Sequence, residues 1–102
     1  WNIEERGRDA VLIFFDDYWS RFDNPRRYYA NEEITVAGSR AEAFMYFHVT
    51  QERDDESVLG WGTYEWGFKF VDGNCLITKE IVHILAMTTL AQGWASSALR
   101  SF

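Results

Sequence analysis

Two histidines are the side chains of this sequence best suited to acid–base chemistry at neutral pH. The unperturbed pKa of imidazole is about 6.5, so a histidine can both accept and release a proton there. His83 lies in an apolar stretch over residues 81–85, and we take it as the candidate catalytic residue. The alternative is a histidine that packs in a sheet without a chemical role. His48 shares its strand parity with Phe44 and Tyr46, which favours a place at an interface.

Carboxylates supply a second candidate for proton transfer. Glu65 and Glu80 lie almost directly opposite each other if a two-residue turn at Asp72–Gly73 joins their strands. Two neighbouring carboxylates can share one proton and form an acid–base dyad. Like charges on neighbouring strands repel, so the alternative is a solvated pair or a register one residue away. Asp16 and Asp17 are assigned to a helix surface, with Asp17 the one that could face a cavity.

No metal or cofactor site is predicted. The two histidines are far apart and Cys75 is the single cysteine, so no zinc-ligand spacing and no intrachain disulfide are available. Cys75 also has no evident neighbouring base that would activate its thiol. Gly60, Gly62 and Gly67 lie within a strand and not in a phosphate-binding loop. They indicate bends or bulges in a curved sheet, or room for a neighbouring ring.

The segment Val58–Val71 positions five of the 18 aromatic side chains. It alternates as a strand, and one side carries Tyr64, Trp66, Phe68 and Phe70. The turn at Asp72–Gly73 predicts the pairs Phe68 with Ile77, Trp66 with Lys79, Tyr64 with Ile81, and Gly62 with His83. A turn at Asp54–Asp55 predicts Met45 opposite Tyr64 and Ala43 opposite Trp66.

One face of the predicted sheet therefore collects Met45, Phe47, Tyr64, Trp66, Phe68, Ile77, Ile81 and His83. A bulge at either turn would move this set by one residue, which reverses the face that each side chain occupies.

The remaining elements surround this hairpin. An apolar stripe predicts a helix over Gly7–Phe22, which places Phe15 and Trp19 toward the sheet, and Asp23–Pro25 ends that helix. The later predicted elements are a short strand at Ile34–Val36, long strands over Ala41–Glu52 and Cys75–Met87, and a possible C-terminal helix over Thr89–Leu99. The fold class is thus α+β, with an antiparallel meander packed on an N-terminal helix.

Composition limits the classes of function. The 102 residues form one predicted domain, 1–102, with 47% hydrophobic and 18% aromatic residues. The net charge of −6 argues against nucleic-acid binding, which needs a basic face. No apolar run approaches the roughly 18 residues that span a membrane. The lone cysteine favours a reducing compartment, so we expect a cytoplasmic protein.

Three segments resemble the SnoaL-like branch of the nuclear transport factor 2-like superfamily, which includes the ketosteroid isomerases. They are GRDAVLIFF at residues 7–15, YYANEEITVAGSRAEAFMYFHV at 28–49, and YEWGFKFVDGNCLITKEIVHIL at 64–85. The resemblance implies a cone-like roll, in which a strongly curved antiparallel sheet wraps helices around a pocket, often in a dimer. Relatives have two helices before the one found here, so the resemblance implies that the domain is N-terminally incomplete.

Three positions depart from the family pattern. Relatives often carry histidine where this sequence has Arg27, and tryptophan where it has Cys75. In the isomerase-type members, an acid that stabilises an oxyanion falls near Trp66. An indole N–H can donate a hydrogen bond but cannot act as an acid.

The sequence and the resemblance together predict a domain that binds a hydrophobic cyclic small molecule, as a homodimer and without a cofactor. Any enzyme would be a cofactor-independent isomerase or lyase. The predicted ligand-binding residues are Phe15, Trp19, Met45, Phe47, Tyr64, Trp66, Phe68 and Ile81, with His83 as the proton carrier. The alternative is a non-catalytic module that uses the sheet face to dimerise or to bind a protein partner.

Overall fold

A computed structural model describes residues 4–95, which form one helix followed by four antiparallel strands. The elements are α1 (Arg8–Arg21), β1 (Asp23–Ala37), β2 (Arg40–Arg53), β3 (Glu56–Val71) and β4 (Asn74–Thr89). The strands make one curved sheet in the order β1-β2-β3-β4. The predicted α+β class, with a meander and an N-terminal helix, is confirmed.

Helix α1 has nearly the predicted bounds. It follows Gly7, whose φ of 85° lies outside the helical region, and it ends where Phe22 adopts extended geometry. An i,i+4 ion pair between Arg21 and Asp17, 2.8 Å long, lies on its last turn. None of its residues is buried. The stability of α1 on the sheet therefore depends on half-buried rings and a few polar contacts.

Strand β1 is much longer than the predicted strand at Ile34–Val36. It starts at Asp23, directly after α1, and is an edge strand that pairs only with β2 among the residues 4–95. Register irregularities lie between Asp23 and Arg26 and between Ala30 and Glu33. The first contains Pro25, which an edge strand tolerates because its missing N–H need not pair.

The β2–β3 hairpin has the predicted register. Met45 lies opposite Tyr64 and Ala43 lies opposite Trp66. The turn residues Asp54 and Asp55 have φ values of 51° and 64°, as a two-residue type I′ turn requires.

The β3–β4 hairpin begins in the predicted register and then leaves it. Phe68 pairs with Ile77 as predicted, but Gly67 pairs with Lys79, so Thr78 is an extra residue on β4. From Gly67 to Gly62 every pair is shifted by one residue, with Tyr64 opposite Val82 and Thr63 opposite His83.

The predicted placement of Ile81 and His83 on the aromatic face is therefore wrong. The bulge turns both side chains to the opposite face, where Ile81 pairs with Glu65 and His83 with Thr63. Glu80 takes the place opposite Trp66 instead. The predicted direct opposition of Glu65 and Glu80 is wrong for the same reason.

A second irregularity, between Trp61 and Gly62, makes Leu85 another extra residue of β4. A Cβ atom on Gly62 would overlap the backbone carbonyl of His83 and lie 2.9 Å from the Phe47 ring. A Cβ atom on Gly67 would lie 2.9 Å from Thr78 Oγ1. The interpretation of the strand glycines as marks of bulges and close approaches is thus confirmed.

The sheet has two faces with different surroundings. The inner face, which α1 covers in part, contains the buried Phe47, Val49, Val58 and Tyr64, with the half-buried Met45, Trp66, Val82, Ile84 and Met87 around them. The outer face carries the other strand parity, including Phe44, Tyr46, His48, Trp61, Glu65 and His83.

The predicted C-terminal helix does not begin at Thr89. This residue is buried and pairs with Val58 at the end of β4, and a turn follows it. Residues 96–99 of the predicted helix lie outside the described residues.

Candidate functional site

A chain of contacting rings occupies the inner face, and we call it the aromatic cluster. Its members are Tyr29 on β1, Phe47 on β2, and Tyr64, Trp66 and Phe68 on β3. The ring centroids of Phe47 and Tyr64 are 4.9 Å apart, those of Tyr64 and Trp66 5.6 Å, and those of Trp66 and Phe68 5.7 Å. The ring of Tyr29 is 5.8 Å from that of Tyr64 and 6.4 Å from that of Trp66.

A guanidinium group lies beside this cluster. Arg27 pairs with Val49 in the β1–β2 ladder, which directs its side chain to the inner face. Its Nη2 atom donates a hydrogen bond of 3.3 Å to the Tyr18 hydroxyl of α1, and its Cζ atom lies 5.8 Å from the centroid of the same ring. Such a cation–π contact adds to the hydrogen bond.

The Tyr18 hydroxyl also accepts a 3.3 Å hydrogen bond from Gln51 Nε2. Gln51 lies on β2 beneath the helix and is only 2% exposed. Tyr18 therefore connects α1 to β1 and β2 through a single oxygen atom.

The phenol of Tyr64 is held in its neutral form. Burial raises its pKa above the ordinary value for tyrosine, while the charge of Arg27 and a hydrogen bond from it act in the opposite direction. The net shift is upward. At neutral pH the Tyr64 hydroxyl is therefore a hydrogen-bond donor as well as an acceptor.

Glu80 brings a carboxyl group to the same region, opposite Trp66. Much of the residue is exposed, but partial desolvation raises the pKa of its carboxyl above the usual value, and the charge of Arg27 opposes that shift. The carboxyl also acts electrostatically on Tyr64. Arg27, Tyr64 and Glu80 thus form one electrostatically coupled group of a cation, a phenol and a proton-accepting carboxyl.

Two polar atoms of the inner face have no hydrogen-bond partner within residues 4–95. They are the Trp66 indole Nε1 and the Gln51 Oε1, and both are buried. A buried donor without a partner is costly, by about 1–3 kcal/mol. The indole N–H is accordingly a group that would gain from a ligand acceptor.

The structure brings five of the predicted ligand-binding residues together. Met45, Phe47, Tyr64, Trp66 and Phe68 share the inner face, as predicted. Ile81 does not join them because of the Thr78 bulge.

The predicted helix residues lie apart from the cluster. Phe15 contacts Phe14 and Trp19, with centroids 5.4 and 5.5 Å apart, and Trp19 is 56% exposed. No ring contact joins either residue to the aromatic cluster within the described part of the chain.

His83 forms a separate pair on the outer face. Its Nε2 atom is 2.9 Å from the Glu65 Oε2 atom, and both side chains are exposed. The structure therefore does not place the predicted proton carrier near the aromatic cluster.

Sequence reasoning missed Arg27 and Tyr29 as members of the site, and it considered Glu80 as a proton carrier only together with Glu65. Arg27 was noted only where the sequence departs from the family pattern, and Tyr29 lies in a segment predicted to be irregular. The position of Glu80 depends on the Thr78 bulge, which strand alternation alone cannot reveal.

Two cavities of the described residues have few or none of their lining residues in the aromatic cluster, with Trp66 in the lining of the second. One open depression of about 440 Å³ is lined by Asp23, Asn24, Glu52 and the residues 54–57. Another of about 160 Å³ is lined mainly by outer-face side chains, including Glu33, Glu42, Phe44, Glu65 and Lys79. Neither lies under α1, so the predicted hollow between helix and sheet is not one of these two.

No family model matches this sequence, and no curated protein sequence matches it. One solved structure is similar to this chain, the crystal structure of a hexachlorocyclohexane dehydrochlorinase, LinA type 2. The similarity covers 84% of this chain, with a TM-score of 0.74 and a sequence identity of 16%. The chain has the nuclear transport factor 2-like fold. It spans 61% of the length of that dehydrochlorinase.

The resemblance to the nuclear transport factor 2-like superfamily is confirmed at the level of the fold. The identity of 16% carries no residue role from the dehydrochlorinase to this chain. Within residues 4–95, no helix is long and apolar enough to cross a membrane. Over the same residues, no group of three or more His, Cys, Asp or Glu side chains has a geometry that could hold a metal ion.

Proposed function

We propose that this domain binds an apolar, ring-containing small molecule against the aromatic cluster of the inner face. The observation that carries the proposal is the convergence of Arg27, Tyr64 and Glu80 on a continuous surface of rings. Small-molecule sites are mostly apolar surfaces with a few polar groups that fix the orientation of the ligand. The predicted residues Met45, Phe47, Tyr64, Trp66 and Phe68 would contact the ligand.

The proposal extends to a proton-transfer reaction without a cofactor, such as an isomerisation or an elimination. A general base is most effective when its pKa lies near the working pH. Desolvation moves the pKa of Glu80 in that direction, and Arg27 lies close enough to stabilise negative charge that develops on the substrate. The proton carrier proposed here is Glu80 and not His83.

The fold neighbour supports the same class of reaction. By its name, the similar structure is that of a dehydrochlorinase, which is a lyase acting on a chlorinated ring compound. For the present chain, both binding and catalysis rest on the inner-face geometry, because the identity between the two chains is 16%.

Tryptophan fluorescence tests the binding site with a matched pair of variants. Trp66 and Trp61 lie on the same strand but on opposite faces of the sheet. Steroid-like and polycyclic aromatic compounds are titrated into the wild type, Trp66→Phe and Trp61→Phe. We expect quenching that Trp66→Phe reduces and Trp61→Phe retains. If no such compound changes the fluorescence or the melting temperature, the proposal is wrong.

A second candidate function is dimerisation or partner binding through the outer face. Phe44 and Tyr46 contact each other there in a T-shaped arrangement, 5.5 Å apart, and Tyr46 is 47% exposed. Exposed aromatic side chains are enriched at protein interfaces.

Light scattering of the wild type and of Tyr46→Asp tests this candidate. A dimer that Tyr46→Asp converts to a monomer would support it. A wild type that stays monomeric over the whole accessible concentration range would count against self-association.

A further inference from the structure

Arg27 differs from the other arginines of residues 4–95 in its surroundings. It alone is half-buried, whereas the other arginines are exposed. Its neighbour Arg26 has a carboxylate partner, with Nη1 lying 3.9 Å from Glu52 Oε1. Arg27 has no carboxylate within ion-pair distance among the described residues.

The groups around Arg27 leave most of its hydrogen-bonding capacity unused. A guanidinium has five N–H donors in a planar fork that fits two oxygen atoms of an anion. The groups that face it are the hydroxyls of Tyr18 and Tyr64 and the more distant carboxyl of Glu80. A half-buried guanidinium with donors left over can therefore gain a charge-assisted contact from an anion that binds beside it.

We propose that the ligand of the aromatic cluster carries an anionic oxygen group, such as a carboxylate, and that Arg27 binds this group. The inference rests on the proposed function, because the rings of the cluster hold the apolar part of the same ligand. A flat apolar body lies against Tyr64 and Trp66, and its anionic end lies toward β1. The substrate class is therefore an aromatic or polycyclic acid.

A substitution of Glu80 should change the affinity for an anion in the direction opposite to a substitution of Arg27. Its carboxyl and the ligand anion compete for the charge of Arg27, so an ionised Glu80 weakens the binding of the anion. Replacement of Glu80 by glutamine removes this repulsion while the side chain keeps its shape. Arg27 and Glu80 substitutions should therefore change the affinity for an anion in opposite directions.

A matched pair of fluorescent probes provides the test. The anionic probe is 1-anilinonaphthalene-8-sulfonate, and the neutral probe is N-phenyl-1-naphthylamine, which has the same rings without the sulfonate. We expect Arg27→Gln to weaken binding of the anionic probe about tenfold or more, as the loss of a charge-assisted contact implies. Binding of the neutral probe should change less than about twofold. Glu80→Gln should tighten binding of the anionic probe several-fold.

Arg26→Gln is the control, because Arg26 is the adjacent residue of the same type but is exposed and paired with Glu52. Its effect on both probes should be negligible. An equal loss of anionic-probe affinity in the Arg26 and Arg27 variants would mean nonspecific attraction and would overturn the inference.

The remaining outcomes separate the two proposals. If the neutral probe binds and Arg27→Gln leaves the anionic probe unaffected, the anion inference is wrong and the proposed function stands. If neither probe binds, the proposed function is wrong and the inference with it. Should Arg27→Gln fail to fold by circular dichroism, Arg27→Lys replaces it. That variant keeps the charge but loses the fork, so an unchanged affinity ratio of the two probes would again overturn the inference.

Discussion

Removal of the Tyr18 hydroxyl should remove the hydrogen bonds that join α1 to the sheet, while the packing of the Tyr18 ring stays in place. The oxygen accepts hydrogen bonds from Arg27 Nη2 and Gln51 Nε2, both 3.3 Å long. The ring itself contacts Phe14 and Phe22, with centroids 6.5 and 5.2 Å away. In Tyr18→Phe these ring contacts remain, so the change isolates the polar connection.

Most of the free-energy cost of Tyr18→Phe comes from Gln51. This side chain is 2% exposed, and its Oε1 atom already lacks a partner within the described residues. Whichever way the amide is turned, the Tyr18 oxygen is its main partner, with Met87 Sδ the only other contact, at 4.0 Å. An amide left unpaired in the interior costs about 1–3 kcal/mol, whereas the half-buried Arg27 can recover water at about 0.5 kcal/mol.

The free energy of unfolding of Tyr18→Phe should therefore be about 2 kcal/mol lower than that of the wild type. For a domain of this size that corresponds to a fall in Tm of about 10 °C. Circular dichroism melts and urea titrations measure both quantities. Tyr46→Phe is the control, because the Tyr46 hydroxyl is exposed and has no hydrogen bond within residues 4–95. Equal stability of the two variants would refute the assignment of Tyr18 as the connection between helix and sheet.

Three further changes test the sheet and the site. Gly62→Ala should cost about 1–3 kcal/mol or more in urea unfolding, because the new Cβ overlaps the backbone carbonyl of His83, whereas Gly67→Ala should cost less because only the Thr78 side chain must move. Phe47→Ala should lower the free energy of unfolding by about 3–5 kcal/mol, since the ring is 5% exposed and packs on Tyr64. Glu80→Gln should flatten the pH dependence of stability. The raised pKa of Glu80 means that the folded state binds the proton more tightly than the unfolded chain, so the wild type should lose stability as the pH rises through that pKa. Urea midpoints from about pH 4 to pH 7 show whether the slope of the variant is less negative.

The inner face was largely predictable because alternation in β3 is strict. Tyr64, Trp66 and Phe68 recur at every second residue, and the turn at Asp54–Asp55 fixes which β2 residues lie opposite them. The two bulges of the β3–β4 pairing do not disturb these positions, because their extra residues lie on β4.

Strand β1 was not predictable in the same way. It is an edge strand whose residues are almost all exposed, so the sequence needs no apolar alternation to specify it. Its length follows from pairing with β2, which is a contact between distant segments. Arg27 and Tyr29 consequently went unnoticed as inner-face residues.

The chemistry of the site depends on the extra residue Thr78. Without the bulge, Ile81 and His83 would point to the inner face and Glu80 to the outer face. The site would then hold an imidazole among apolar groups, with Arg27 as an uncompensated charge. With the bulge, a carboxyl with a raised pKa lies opposite Trp66 on the same side as the guanidinium, and the imidazole pairs with Glu65 on the outer face.

This arrangement places the groups suited to ligand binding and proton transfer on the inner face. The inner face has a cation, a neutral phenol, an unpaired indole N–H and a carboxyl that accepts a proton easily, all beside a continuous apolar surface. A ligand that brings an anion to Arg27 also raises the tendency of Glu80 to take up a proton, because the negative charge of the ligand offsets the effect of the Arg27 charge on the Glu80 carboxyl. Binding and proton transfer would thus be coupled through one guanidinium, and a substrate that carries both the anion and the acidic C–H bond would activate its own base.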